Sequence, residues 1–131
     1  GEYRETAPVC KGNRGMIAVS ANGNVFPCHQ MSGYYEQHGD NLGNVKLTPL
    51  EELLSGGMYL DEVCTTLGTL REKNEKCGKC PHFEHCNGGC RAIALALTGD
   101  KLGIDPSKCF FWANGYAEKI AAALPDYETN I

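Results

Sequence analysis

Cys77-Gly78-Lys79-Cys80-Pro81-His82-Phe83-Glu84-His85-Cys86-Asn87-Gly88-Gly89-Cys90 sets four thiols within fourteen residues, spaced C-x2-C-x5-C-x3-C. A C-x2-C turn brings two sulfurs to one side of a tight loop, where both can bind one metal centre. A structural disulfide between the same two cysteines would close only a very small loop, so ligation is the better reading. Soft thiolates select zinc, copper(I) or iron–sulfur clusters. Zinc ribbons and fingers usually separate two tight pairs by a dozen or more residues. Here the second pair follows after five residues and is itself spaced by three. That compression, with the Cys80-Pro81 step common in ferredoxin-type loops, favours an iron–sulfur cluster over zinc. Spacing alone groups these four cysteines on one centre and leaves Cys10, Cys28, Cys64 and Cys109 for another.

The surrounding chain makes metal a structural need. Its 131 residues suit one domain, residues 1–131, but only 42% are hydrophobic and 16 glycines and 6 prolines interrupt them. A net charge of −4 provides no basic field for nucleic acid or an anionic membrane. The longest apolar runs, 92–97 and 120–124, fall far short of the ~18 residues of a membrane span. Gly1-Glu2-Tyr3-Arg4 has neither an initiating Met nor a signal pattern. The expectation is a piece of a longer, cytoplasmic protein rather than a secreted disulfide scaffold.

Punctuation by Pro8, Gly12 and Gly15 predicts a loop around Cys10. Residues 16–20 and 25–27 predict two short strands joined by Ala21-Asn22-Gly23-Asn24, since Asn-Gly supplies the positive φ angles of a tight turn. The second strand delivers Cys28 and His29, and residues 31–44 read as a glycine-punctuated loop. Thr48-Pro49-Leu50-Glu51 predicts a helix over 49–54, with Thr48 as cap and Glu51 closing a capping box. Leu60, Val63, Leu67 and Leu70 at helical spacing predict one helix over 58–73, with Cys64 beside them. After the cysteine loop, a helix over 91–97 ends at Gly99. Pro106 leads into a last helix over 110–124, broken by Pro125. The fold class expected is α+β: a small, irregular, metal-stapled domain with an N-terminal hairpin, cysteine-rich loops and short helices.

Cys10, twelve residues, Gly23, four residues and Cys28, then Cys77, Cys80, Cys86, Cys90 and a distal Cys109, form a seven-cysteine pattern. It resembles the SPASM domain, the C-terminal auxiliary-cluster domain of radical-SAM enzymes that mature peptides and proteins. The resemblance covers residues 10–109 as the cluster-binding core, with 110–131 as a C-terminal helix. It implies two [4Fe–4S] clusters with interleaved ligands. Cys77, Cys80, Cys86 and Cys109 would hold one, and Cys10, Cys28 and Cys90 the other. Cys64 is the spare thiol for the remaining position. Counting favours it as ligand, whereas a site in a helix beside Val63 and Leu67 favours packing as a small hydrophobe, with that iron left open or held by a group other than cysteine. The clusters would staple hairpin, loop and helix together and contribute folding free energy.

The resemblance also implies partners: the radical-SAM barrel of the parent chain, a substrate peptide or protein, and an electron-transfer protein. S-adenosylmethionine would belong to the missing upstream domain. Cys86-x3-Cys90 begins the C-x3-C-x2-C motif that binds it, but the next required position is Ile93, so this chain is not expected to be catalytic alone. The implied role is electron transfer and substrate positioning. The alternative is a non-redox binding module shaped by zinc or disulfides. His82 and His85 read as solvated loop residues, and His29 as a hydrogen-bond donor near Cys28. Phe110, Phe111 and Trp112 read as packing that shields a cluster from water. Lys73, Lys76 and Lys79 read as a solvated face, and Tyr34-Tyr35 as loop aromatics that could touch a substrate.

Overall fold

The computed structural model describes residues 2–10 and 16–124, and the chain forms two compact units: residues 8–66, and the residues up to 7 together with those from 67 onward. The loop expected around Gly12 and Gly15, and the helix stop at Pro125, lie outside the described residues. The elements are one two-stranded antiparallel hairpin and a series of short helices, the irregular α+β architecture expected from the sequence.

In the unit of residues 8–66, β1 (Ala18–Val19) pairs with β2 (Val25–Phe26) in the register Ala18↔Phe26 and Val19↔Val25. The turn between them closes through Gly23 N–H to Ser20 O at 2.9 Å, with Gly23 at φ +88°. The free side of β2 is met by residues 42–45: Val25 N–H donates to Gly43 O, and Leu42 N–H to Val25 O. Val25, Leu42, Tyr59 and Val63 form the core, with Ile17, Leu53 and Leu54 packed against it.

The segment after Cys28 departs from the loop expected over 31–44. It opens with α1 (His29–Gln37), capped at its start by the Cys28 backbone. Met31, Tyr34, Tyr35 and His38 recur at helical spacing, and Met31 is 2% exposed. The glycines masked that periodicity. The helix over 49–54 forms as α2 (Leu50–Leu54), but Pro49 takes the cap position and no side chain caps it, so the Thr48 capping box is not made.

The helix expected over 58–73 is two. α3 (Gly57–Val63) ends at Cys64, and α4 (Leu67–Lys73) opens the second unit. Thr65 and Thr66 leave the helical path because the chain's start claims their backbone. Pro8 and Thr66 form an antiparallel bridge, and Val9 N–H donates to Thr65 O at 3.0 Å. Tertiary pairing here overrides a continuous hydrophobic pattern.

The second unit continues through α5 (Glu75–Gly78), α6 (Phe83–Cys86) and α7 (Arg91–Thr98). The expected last helix is again two, α8 (Pro106–Ala113) and α9 (Tyr116–Ala123), because Gly115 adopts φ +69° between them. Phe83, 1% exposed, anchors the unit: Tyr3 meets it edge-on at 6.0 Å, and the Arg71 guanidinium lies over both rings.

Candidate metal centre

Three local devices bring four thiols of the second unit together. Asn74 caps α5, its side chain accepting the Cys77 N–H at 3.1 Å, which fixes the first cysteine at a helix start. Cys80 N–H then donates to Cys77 O, closing the C-x2-C turn. α6 carries Cys86, and the chain reverses through Asn87, Gly88 and Gly89, all in the left-handed region. A Cβ on Gly88 would collide with Leu70 and crowd the Arg91 guanidinium, so this reversal requires glycine. Asp105 caps α8, Pro106 begins it, and the helix presents Cys109.

Cys77, Cys80, Cys86 and Cys109 are free thiols, and all four line one cavity of about 130 Å³. Phe83 and Trp112 supply its apolar walls, and Lys76 and Lys108 also border it. The volume is several times the ~30 Å³ share of one water in the liquid. Among the described residues no three Cys, His, Asp or Glu side chains are grouped so as to hold one metal ion, so four soft donors spread around a space of that size fit a larger thiolate-bound cluster better than a single ion. Burial raises the Cys77 and Cys86 thiols above their ordinary value. The Arg91 charge opposes this at Cys77, and the Gly88 backbone N–H opposes it at Cys86.

Arg91 and Asp105 are the site residues that motif reading passed over. Arg91 is 4% exposed, and its Nη atoms donate to the carbonyls of Gly88, Lys101 and Gly103. Burial lowers its pKa, while the nearby Cys77, Asp105, Cys90 and Cys86 oppose that shift. A cation at the first position of an otherwise apolar helix, against the helix dipole, was the available sequence signal. Asp105 before Pro106 was an equally legible cap. Among the described residues three buried side-chain groups meet no hydrogen-bond partner: the Tyr3 hydroxyl, Arg91 Nε and Trp112 Nε1.

Cys90 is half-buried, caps α7, and is not among the residues lining the cavity. The first-unit cysteines are placed separately. Cys28 caps α1, and Cys10 is half-buried. Cys64 is exposed at the end of α3, so the expectation that it packs as a small hydrophobe does not hold. The pairing with the chain's start is confined to Pro8↔Thr66 and its flanking hydrogen bonds, and Cys64 itself closes α3, its N–H donating to Leu60 O at 2.9 Å. His82 and His85 both stack on Trp112, with ring centroids at 5.9 and 6.1 Å, and His82 borders the cavity. Tyr34 and Tyr35 lie on α1; the Tyr35 hydroxyl donates to Glu62 at 2.8 Å. No helix among the described residues is long and apolar enough to cross a membrane.

The chain is similar to known proteins. Residues 10–81 match the SPASM family, described as an iron-sulfur cluster-binding domain. An AdoMet-dependent heme synthase of Nitratidesulfovibrio vulgaris is 34% identical over 97 residues, 74% of this chain and 23% of that protein. A PqqA peptide cyclase of Xanthomonas axonopodis pv. citri is 31% identical over 106 residues, 79% of this chain and 27% of that protein. The chain thus spans about a quarter of the length of these curated relatives. The solved structure of hexahistidine-tagged anSMEcpe with bound AdoMet shares the fold at a TM-score of 0.53, with 22% identity. That likeness covers 97% of this chain and 30% of the other. With the family match covering more than half of its residues, the chain belongs to the SPASM family of iron-sulfur cluster-binding domains.

Proposed function

We propose that the chain carries two [4Fe–4S] clusters and serves a radical-SAM enzyme that modifies a peptide or protein, passing electrons and helping to position the substrate. The cavity bordered by Cys77, Cys80, Cys86 and Cys109 carries the reading. It supports the interleaved ligand set over the grouping of four consecutive cysteines. A cluster held there supplies one-electron transfer.

The chain's own residues prepare the site. The four thiols become thiolate ligands, and Arg91 provides a buried positive charge near them. Phe83 and Trp112 exclude water, which helps set the reduction potential. Cys10, Cys28 and Cys90 are assigned to the second cluster by the family resemblance. The exposure of Cys64 at the end of α3 supports Cys64 as its fourth ligand. S-adenosylmethionine and the barrel that uses it belong to the parent protein in this reading, as the name of the structural relative supports.

The PqqA peptide cyclase relatives support a peptide substrate. The heme synthase relatives favour a second reading, service in an enzyme of heme synthesis. Anaerobic reconstitution tests the cluster assignment: iron and sulfide for two four-iron centres are expected, with a brown colour that fades on reduction. Colourless protein with stoichiometric zinc would establish the non-redox module instead.

A further inference from the structure

We propose that the indole N–H of Trp112 donates a hydrogen bond to a sulfur of the centre held by Cys77, Cys80, Cys86 and Cys109, and thereby raises its reduction potential. The inference rests on the cluster assignment above. Trp112 follows Cys109 by three residues on α8, so the two share a helix face, and both border the cavity. Trp112 is 9% exposed, and its Nε1 is buried without an acceptor. An indole N–H can only donate, and leaving it unmet in an apolar wall costs free energy.

The neighbouring groups do not meet that need. His82 and His85 stack on the indole at interplanar angles of 25° and 26°, which leaves its in-plane N–H unsatisfied. Lys76 and Lys108 are donors. Asp105 is engaged at both oxygens, Oδ2 by Cys90 N–H and Oδ1 by the N–H groups of Ser107 and Lys108. Apart from the stacked His82 ring, the four sulfurs are the side-chain acceptors that remain on the cavity wall. A hydrogen bond to cluster or thiolate sulfur favours the more negative, reduced state, so the bond shifts the potential upward.

Trp112→Phe deletes the donor and keeps a ring for the histidines to stack on. In the anaerobically reconstituted chain, iron content should stay at the wild-type level. Reduction of one centre should become about tenfold less favourable, close to 59 mV for a one-electron couple. Trp112 is the single tryptophan in the sequence, so indole-15N labelling marks one site in the unmutated protein. Pulsed electron paramagnetic resonance of the reduced centre should then show coupling to that nitrogen. A cluster-loaded variant with wild-type potentials, or labelled protein without 15N coupling, overturns the proposal. Wild-type chain that assembles no iron–sulfur centre fails one step earlier and removes the cluster assignment itself.

Discussion

Asp105 Oδ2 accepts the backbone N–H of Cys90 at 2.9 Å, while Oδ1 accepts the Ser107 N–H that opens α8. One carboxylate, 3% exposed, therefore orders both the end of the cysteine run and the helix that carries Cys109. This relationship explains how a residue nineteen positions downstream enters the cavity wall, while the last cysteine of the run stays outside it.

Asp105→Ala removes a helix cap and leaves the Cys90 N–H without its acceptor. Those losses together are expected to destabilise the chain by roughly 2–4 kcal/mol. Urea unfolding measures this directly. A change within ~0.5 kcal/mol, ordinary for a surface site, would show that the carboxylate is dispensable.

Cysteine substitutions separate the two ligand groupings. Cys86→Ala and Cys109→Ala should each remove the same centre, and Cys90→Ala the other. Iron analysis with the spectra of the surviving centre checks the assignment. Cys86 and Cys90 variants that lose one and the same centre would restore the grouping by spacing.

Cys64→Ser changes an exposed residue, so the stability of the metal-free chain should move by less than ~0.5 kcal/mol. Iron content should nevertheless fall, because the serine hydroxyl is a poor replacement for a soft thiolate. Unchanged iron content and spectra would place a different group at that ligand position.

Tyr35 carries a pH signature of its own. Burial first, and then the negative charge of Glu62, raise its phenol above the ordinary value of 10.0. The folded state then holds its proton to higher pH than the unfolded state does. The stabilisation is therefore fully present below pH 10 and is lost as pH rises toward the folded value. Tyr35→Phe should abolish this alkaline component and cost ~1–3 kcal/mol at neutral pH, since Glu62 loses a donor. Urea midpoints at pH 8 and pH 11 for both proteins test the pair of effects.

Removing the metal should lower the melting transition and broaden it. Among the described residues fifteen hydrophobic residues are buried, and ligation contributes to folding where a core is limited. Thermal melts before and after anaerobic chelation make the comparison, and coincident transitions would contradict it.

Local chemistry was legible in the residues themselves. The hairpin formed where Asn22-Gly23 placed it, but of the pair only Gly23 takes a positive φ, the region that favours glycine. Gly99 ended α7 where expected, and Cys77, Cys80 and Cys86, singled out by their spacing, border one cavity. Continuity was not legible where distant backbone intervened. The apolar periodicity of 58–73 runs unbroken through Thr65 and Thr66, yet their pairing with Pro8 and Val9 splits the helix and leaves Cys64 exposed. The Trp112 N–H without an acceptor, the buried Arg91 and the double use of Asp105 likewise emerge only when 88–91 and 101–112 are brought together. The sequence by itself determined which side chains can ligate and where the chain can turn, since those are properties of individual residues. Only tertiary structure decided which thiols share a cavity, because that depends on backbone hydrogen bonds formed between segments far apart along the chain.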